Sequence, residues 1–288
     1  MNRIMMTKPR VVGEAKRQSL RKMCIAVLLL FGAAFMVLPF ALMISTSFKP
    51  FDQVFLRPFR WIPRPPTLNG YKQVWSIIPF WRQFANTAFV ATSITLLQLA
   101  TSILAAYAFA RLQFPGRDIL FLIYLAAIMV PSQVTMIPLF MMVNKLGWLD
   151  TYIGLIIPFA FNPFATFLLR QFFVTIPKSL EEAAVIDGCT GFGTLIRIIV
   201  PLSQPAIATA SVLAFMFHWN NFLWPLIVTR TETKKVLTVG LATLQGQYYT
   251  DWPVLMAGAA LAMLPIVVLF LFSQRFFIEG IALTGIKE

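Results

Sequence analysis

Charge is scarce: Asp, Glu, Lys and Arg make up only 12% of the 288 residues, and 11 acids face 24 basic residues. A water-soluble fold of this length has to cover its surface with polar side chains, so this supply excludes an ordinary soluble protein. Cysteine is nearly absent as well. Cys24 and Cys189 stand apart, one at the edge of an apolar run and one in a connector, which excludes a disulfide framework and any metal-ligand spacing. Histidine occurs once, at position 218. The zinc-protease HExxH pattern and the serine nucleophile elbow are both missing, and no acid–base pair suggests catalysis. Gly188 and Gly193 have the spacing of a phosphate-binding loop, but Thr194 stands where the lysine belongs and no strand precedes them. The chain is therefore read as no enzyme, with no metal and no cofactor of its own.

What is abundant is apolar sequence, 58% of the residues. Uncharged runs extend over Cys24–Thr46, Ala85–Ala110, Ile119–Val143, Tyr152–Leu169, Pro205–Thr229 and Val254–Ser273. A hydrocarbon core about 30 Å thick needs roughly 20 helical residues, so all six are long enough to cross. Backbone groups in lipid must bond internally, and the runs lack the short alternating pattern of a β-barrel, so the expected fold is all-α: a polytopic membrane protein with six transmembrane helices. The first run is longer than a signal-peptide core and has no small-residue cleavage site, so it is expected to remain as an anchor.

Before that run come Arg3, Lys8, Arg10, Lys16, Arg17, Arg21 and Lys22 against the single acid Glu14, the mark of a cytoplasmic flank. Both termini are accordingly expected inside. The remaining basic residues are scattered over loops rather than gathered on one face, which favours anionic membrane lipid over nucleic acid as the partner of the +13 net charge. Ser47–Phe84 falls outside, with Trp61, Trp75 and Trp81 suited to the interface, and Phe172–Gln204 falls inside.

Energy coupling is not built into the runs. No Asp, Glu, Lys or Arg lies in any of them, whereas carriers driven by protons or sodium place ionisable or backbone ligands at mid-membrane. His218 has no carboxylate in its own run and reads as packing or polar lining before it reads as a proton relay. Near the prolines of the later runs stand further polar residues: Ser132, Gln133 and Thr135 in the third, Asn162 in the fourth, and Asn220 and Asn221 in the fifth. Polar groups in lipid need partners, so these either bond between helices or line a solute pathway, for which the candidates are Gln133, Asn162, His218, Asn220 and Asn221. Prolines at 39, 131, 138, 158, 163, 225 and 265 favour bends. Trp219, Phe222 and Trp224 either stack on the ring of a solute or, by the favoured reading, anchor at the interface.

The most informative segment is the inner loop. Pro177-Lys-Ser-Leu-Glu-Glu-Ala-Ala-Val-Ile-Asp-Gly188 predicts a short helix that stops at a left-handed glycine. A second helix is expected from Phe192 to Ile199, ended by Val200-Pro201. Ala183 and Ala184 would give this knuckle a low surface against which another protein approaches, with Glu181 and Glu182 pairing to its basic residues.

Glu182-Ala183-Ala184, Gly188, Ile198 and Val200-Pro201 resemble the EAA loop of ATP-binding-cassette importer permeases, with Val200 in place of the usual leucine. Thr46-Ser47-Phe48-Lys49, Ala106-Tyr107-Ala108-Phe109-Ala110-Arg111 with Phe114-Pro115-Gly116, Trp219-Asn-Asn-Phe-Leu-Trp-Pro225 and the ending Gly280–Lys287 extend the resemblance over nearly the whole chain, to the smaller, second permease of maltose-type carbohydrate importers. It is equally similar to permeases for glycerol 3-phosphate. The resemblance implies a cytoplasmic tail over 1–23 and a six-span permease domain over 24–288, with a core at 85–276 and the EAA loop at 172–204. It implies an ATPase-coupling site made by Glu181, Glu182, Ala183, Ala184, Asp187, Gly188, Ile198 and Pro201. It also implies a plasma (inner) membrane location, a sister permease, two ATPase subunits that carry the ATP and magnesium, an external solute-binding protein reached by the Arg230–Trp252 loop, and import by alternating access. The residues alone leave a stand-alone carrier as the rival class.

Overall fold

Helices account for nearly all regular structure in the computed structural model, which describes residues 11–246 and 249–285, the side chains of 11–16, 18, 19 and 275–285 excepted. Arg3, Lys8 and Arg10 of the tail, Gln247 and Tyr248 of the outer loop, and Lys287 of the ending lie outside the described residues. The chain divides into two compact units, Met1–Tyr71 with Trp252–Ala260, and Lys72–Asp251 with Leu261–Glu288.

In the first unit, α1 (Val11–Ser47) carries the apolar stretch Leu20–Ser47 and passes Pro39 without ending. No residue of its most apolar window is buried. Ser47 closes it: its hydroxyl donates to the Ile44 carbonyl (2.7 Å) and meets the Tyr71 hydroxyl (2.9 Å). Lys49, which follows, is buried with its ammonium 3.8 Å from the centre of the Phe59 ring.

The second unit is built around α3 (Phe80–Arg111), the long span that follows α2 (Asn69–Ile77). Then come α4 (Arg117–Ala126), α5 (Ser132–Lys145), α6 (Tyr152–Ile156), α7 (Pro163–Thr175), α8 (Lys178–Ile186), α9 (Gly191–Thr194), α10 (Val200–Leu202), α11 (Gln204–Trp219), α12 (Leu223–Val228), α13 (Leu237–Thr243) and α14 (Trp252–Gly285), of which Trp252–Ala260 belongs to the first unit. Among the described residues there is no strand, only an isolated bridge between Gln245 and Thr250. Two apolar cores brace α3. One, at its C-terminal end, gathers Ala106, Leu169, Phe173, Ile176, Leu195, Ile199 and Ala206. The other gathers Val90, Ile94, Val143, Leu155, Trp224 and Val228.

Among the described residues three helices are long and apolar enough to cross a membrane, and three bent pairs bring the number up to six when each pair is taken as one span. The bends are where the structure departs from the straight runs expected from hydropathy. The third run turns by 97° between α4 and α5, because Val130 must leave helical geometry ahead of Pro131. The fourth turns by 42°, where Asn162 leaves the helix and caps α7, its side-chain oxygen accepting from the Ala165 N–H (3.0 Å). The fifth run, expected to continue to Thr229, stops at Trp219; Asn220–Phe222 form a break before the short α12. Its other half comes from the inner loop, where Gly191–Leu202 joins Gln204–Trp219 at 81°. Pro201 does not end that helix as expected. A proline lacks the N–H of the ladder and crowds the carbonyl four residues back. A π turn over Leu195–Ile199, in which the Val200 N–H bonds the Leu195 carbonyl, accommodates both.

Candidate functional site

Two places collect the residues singled out by the sequence. The first is the α8 knuckle. Helix α8 starts after Pro177 and ends at Asp187, and Gly188 then takes φ +81° so that the N–H of Cys189 reaches the Ala184 carbonyl (2.8 Å) and its own N–H reaches that of Val185 (3.0 Å). These bonds satisfy the carbonyls a helix end leaves orphaned. Helical periodicity then sorts the motif into two faces. Glu181 turns inward onto Arg111 at the end of α3, Oε1 to Nε 2.5 Å, while an Arg111 Nη2 donates to the Ile176 carbonyl (2.6 Å). Ala184 is buried on the same face, and Ile198 is half-buried.

The outward face is therefore only partly the one expected. Glu181 is taken by the chain's own arginine, and Ala184 is buried within the chain. What faces away from the chain is Glu182, Ala183, Val185, Ile186 and Asp187, with Pro201 also exposed. Ile186, at 85% exposure, is the most prominent apolar side chain there. Val185, Ile186 and Arg111 were missed by the sequence reading, although the three-to-four-residue spacing from Glu182 to Ile186 and from Glu181 to Ala184 carries the signal.

The second place is a cleft of about 580 Å³ where two helix breaks face each other. Ser132, Gln133, Thr135, Met136 and Leu139 come from the start of α5; Met216, Phe217, Asn220, Asn221, Phe222, Leu223 and Trp224 come from the α11–α12 break; Phe159 closes it. Amides, hydroxyls and aromatic faces line it, without a single charged side chain. Gln133, Asn220 and Asn221 are thus brought together. Asn220 spends its amide N–H on the Met216 carbonyl (2.8 Å), capping α11 and leaving its oxygen free of that bond. Trp219 and Trp224 are buried, their indole N–H groups donating to the carbonyls of Ala262 (3.1 Å) and Gly154 (3.0 Å). The expectation that they anchor at the interface is overturned: both indoles are satisfied inside the protein.

Asn162 and His218 do not line this cleft. They meet Gln98 of α3 in a buried polar junction behind it. The Gln98 amide nitrogen donates to the Phe159 carbonyl (2.8 Å) and lies 3.1 Å from His218 Nε2, while its oxygen accepts from the Asn162 amide (3.1 Å). The Thr101 hydroxyl bonds the Ala160 carbonyl (2.7 Å) alongside.

Above the cleft the segment 229–245 is strapped to the N-terminal end of α3. Asn86 donates to the carbonyls of Thr233 (3.0 Å) and Lys235 (2.8 Å), Thr87 accepts from the Leu237 N–H (2.8 Å), and Gly240 lies so close to Gln83 that a Cβ would fall 1.7 Å from its amide oxygen. Asp150 holds the other end, accepting from the N–H groups of Arg230 (2.8 Å) and Thr231 (3.1 Å) and from the Thr231 hydroxyl (2.8 Å). Burial by itself would raise that carboxyl, but these hydrogen bonds, with Lys234 nearby, outweigh it and hold the group below its ordinary value. Among the described residues no three His, Cys, Asp or Glu gather in a way that would hold a metal.

Comparison with known proteins gives a consistent picture. Residues 98–282 match the family described as binding-protein-dependent transport system inner membrane component. The chain is 37% identical over 267 residues, 90% of its length and 96% of the relative's, to an arabinooligosaccharides transport system permease protein, AraQ, of Halalkalibacterium halodurans. It is 32% identical over 262 residues, 88% of its length and 93% of the relative's, to the sn-glycerol-3-phosphate transport system permease protein UgpE of Escherichia coli. Among solved structures, a bacterial ABC transporter involved in import of the acidic polysaccharide alginate contains a similar chain, with a TM-score of 0.81 at 26% identity, covering 95% of this chain and all of that one.

Proposed function

The chain belongs to the family of binding-protein-dependent transport system inner membrane components, and from that premise we propose that it is the membrane-spanning permease subunit of an ATP-driven importer for an uncharged sugar or oligosaccharide. The observation that carries the substrate class is the lining of the cleft: Gln133, Asn220 and Asn221 exchange hydrogen bonds with hydroxyls, Phe159, Phe217 and Phe222 offer ring faces, and no lysine or arginine is present to offset a phosphate. The likeness to a glycerol 3-phosphate permease keeps a phosphorylated polyol as the second reading, with the countercharge then supplied by the sister subunit.

In this reading the chain is no enzyme and binds no cofactor. Two ATPase subunits bear the nucleotide and dock on the outward face of α8, through the apolar Ile186 and Val185 and the carboxylate of Glu182. A sister permease completes the pathway, and an external binding protein delivers solute to the side of the 229–251 segment. Both termini lie in the cytoplasm, with residues 1–23 as a tail and 24–288 as the permease domain. Alternating access then has a structural basis in the paired helix breaks, which let each half-helix move without unmaking a whole span.

The test is solute-stimulated ATPase activity of the reconstituted complex over a panel of neutral sugars, acidic sugars and glycerol 3-phosphate. Stimulation by a neutral sugar, with weakened concentration dependence in Asn220→Ala or Asn221→Ala at matched assembly, is expected. Stimulation by glycerol 3-phosphate alone overturns the substrate class. A cysteine placed at Glu182 should react only from the cytoplasmic side, and labelling from outside in intact cells overturns the orientation.

A further inference from the structure

The junction behind the cleft has a hydrogen-bond order that can be worked out from one unambiguous donor. The backbone N–H of Ala165 can only donate, so the Asn162 atom it meets at 3.0 Å is the oxygen. The other end of that amide is then NH₂, and the Gln98 atom it meets at 3.1 Å must accept. Gln98 therefore turns its own NH₂ toward the Phe159 carbonyl (2.8 Å) and toward His218 Nε2 (3.1 Å). The carbonyl, which can only accept, requires the same orientation independently. His218 Nε2 is consequently the bare, accepting nitrogen of a neutral ring, and the proton sits on Nδ1. That Nδ1 is buried and meets no hydrogen-bond partner among the described residues, so the bond from Gln98 is the ring's only polar tether among them.

Phe159 is part of the cleft wall, and His218 stands two residues before Asn220 and three before Asn221 on the opposing wall. We propose that Gln98 is a positioning residue for the solute cleft: one amide, held in register by Asn162, ties the wall made by Phe159 to the wall made by the end of α11, and His218 is kept as the Nδ1–H tautomer to receive it. This rests on the reading of the cleft as a solute site. Gln98 itself touches neither the cleft nor the solute. Its role is to set the distance between the aromatic face of Phe159 and the amides of Asn220 and Asn221. In the membrane interior water offers these groups no substitute partner, so losing the amide frees both walls together.

Two measurements on the assembled complex test this. Nitrogen spectra of the complex with ¹⁵N-labelled histidine, taken as the difference from a His218→Leu complex, isolate the chain's only histidine; one protonated Nδ1 and one bare Nε2 are expected. In the solute-stimulated ATPase assay, Gln98→Leu is expected to raise the half-saturating solute concentration about tenfold, on the scale of one lost buried hydrogen bond. The maximal rate should survive. Gln98→Asn keeps the polarity but is one methylene too short to serve both walls, and it should shift in the same direction even where the leucine variant assembles poorly. Thr101→Val, which removes the neighbouring bond to Ala160, should leave the solute dependence at the wild-type value, and His218→Leu should add nothing to Gln98→Leu. A ring protonated on Nε2 in the wild type overturns the proposal. So does an unshifted Gln98→Asn together with shifted Asn220→Ala and Asn221→Ala, an outcome that leaves the cleft reading standing. If the asparagine variants are unshifted too, the cleft reading falls and the proposal with it.

Discussion

Replacing Gly188 by alanine isolates the backbone contribution of the α8 knuckle from any contact. Gly188 has φ +81°, and a Cβ added there would meet no atom within 4 Å. The penalty is then purely conformational, about 1–2 kcal/mol for a left-handed L-residue, partly offset by the smaller entropy of an unfolded alanine. A net loss of about 1 kcal/mol is a factor of roughly five. It is divided between two measurable quantities. If the undocked loop keeps its turn, the loss appears as a lower thermal midpoint of the permease; if the loop relaxes and must be re-formed on docking, it appears as about fivefold weaker association of the ATPase subunits in nanodiscs. Asparagine tolerates this conformation, so Gly188→Asn should lose markedly less than alanine. Gly147 supplies the control, with φ +70° and equally open space in the turn after α5. Gly147→Ala should cost similar stability and leave ATPase association untouched. Wild-type stability and wild-type association in Gly188→Ala would refute the reasoning, and equal weakening of association by Gly147→Ala would show that the effect is general rather than local.

Glu181→Ala leaves the Arg111 guanidinium, whose side chain is only 7% exposed, without its counter-charge, and should cost about 3 kcal/mol in unfolding of the solubilised complex; Glu182→Ala should be close to neutral in the same measurement. Gly240→Ala forces the buried Gln83 amide aside, since the new Cβ would stand 1.7 Å from its oxygen, and should speed hydrogen exchange across α13; shortening the neighbour in a Gln83→Ala, Gly240→Ala double variant should restore most of the protection. The Asp150 carboxyl is held below its ordinary value of 3.8, so its contribution to the strap is fully present above about pH 4 and is lost as pH falls through the depressed folded value. The protection of the Arg230 and Thr231 amides, measured against their intrinsic exchange at each pH, should therefore fall only on acidification below about pH 4. In Asp150→Asn the acid-dependent step should disappear.

Hydropathy was enough to find six apolar segments because a window average depends on composition, and lipid demands a composition. Direction is invisible to that average. The 97° turn between α4 and α5 arises from one residue ahead of Pro131, and the helical continuation from Gly191 to Leu202 depends on a π turn that no local rule announces. The knuckle was legible in its turn, since glycine after a short helix calls for the left-handed state that Gly188 adopts. Its faces were not read, because the motif was taken as a string. Reading it with helical periodicity separates Glu181 and Ala184 from Glu182 and Ile186.

The intramembrane polar residues show a limit of a different kind. The rule that a polar group in lipid must face a partner or water has two solutions, and a single run cannot choose between them. Asn162 and His218 take the first, Gln133, Asn220 and Asn221 stand on the second, and what separates them is a residue on another helix. Gln98 lay inside the second run, on a face that also carries buried Gln83, Thr87, Thr95 and Ser102. Polar residues recurring every three to four positions along an apolar helix mark a stripe that neighbouring helices must satisfy. Polar positions on adjacent runs are therefore best paired against such a stripe first, and only those left over assigned to a pathway. By that order Asn162, which caps α7, and His218, two residues before the α11 break, fall to α3. The amides at the breaks themselves, where the helical ladder has ended, are left to line the cleft.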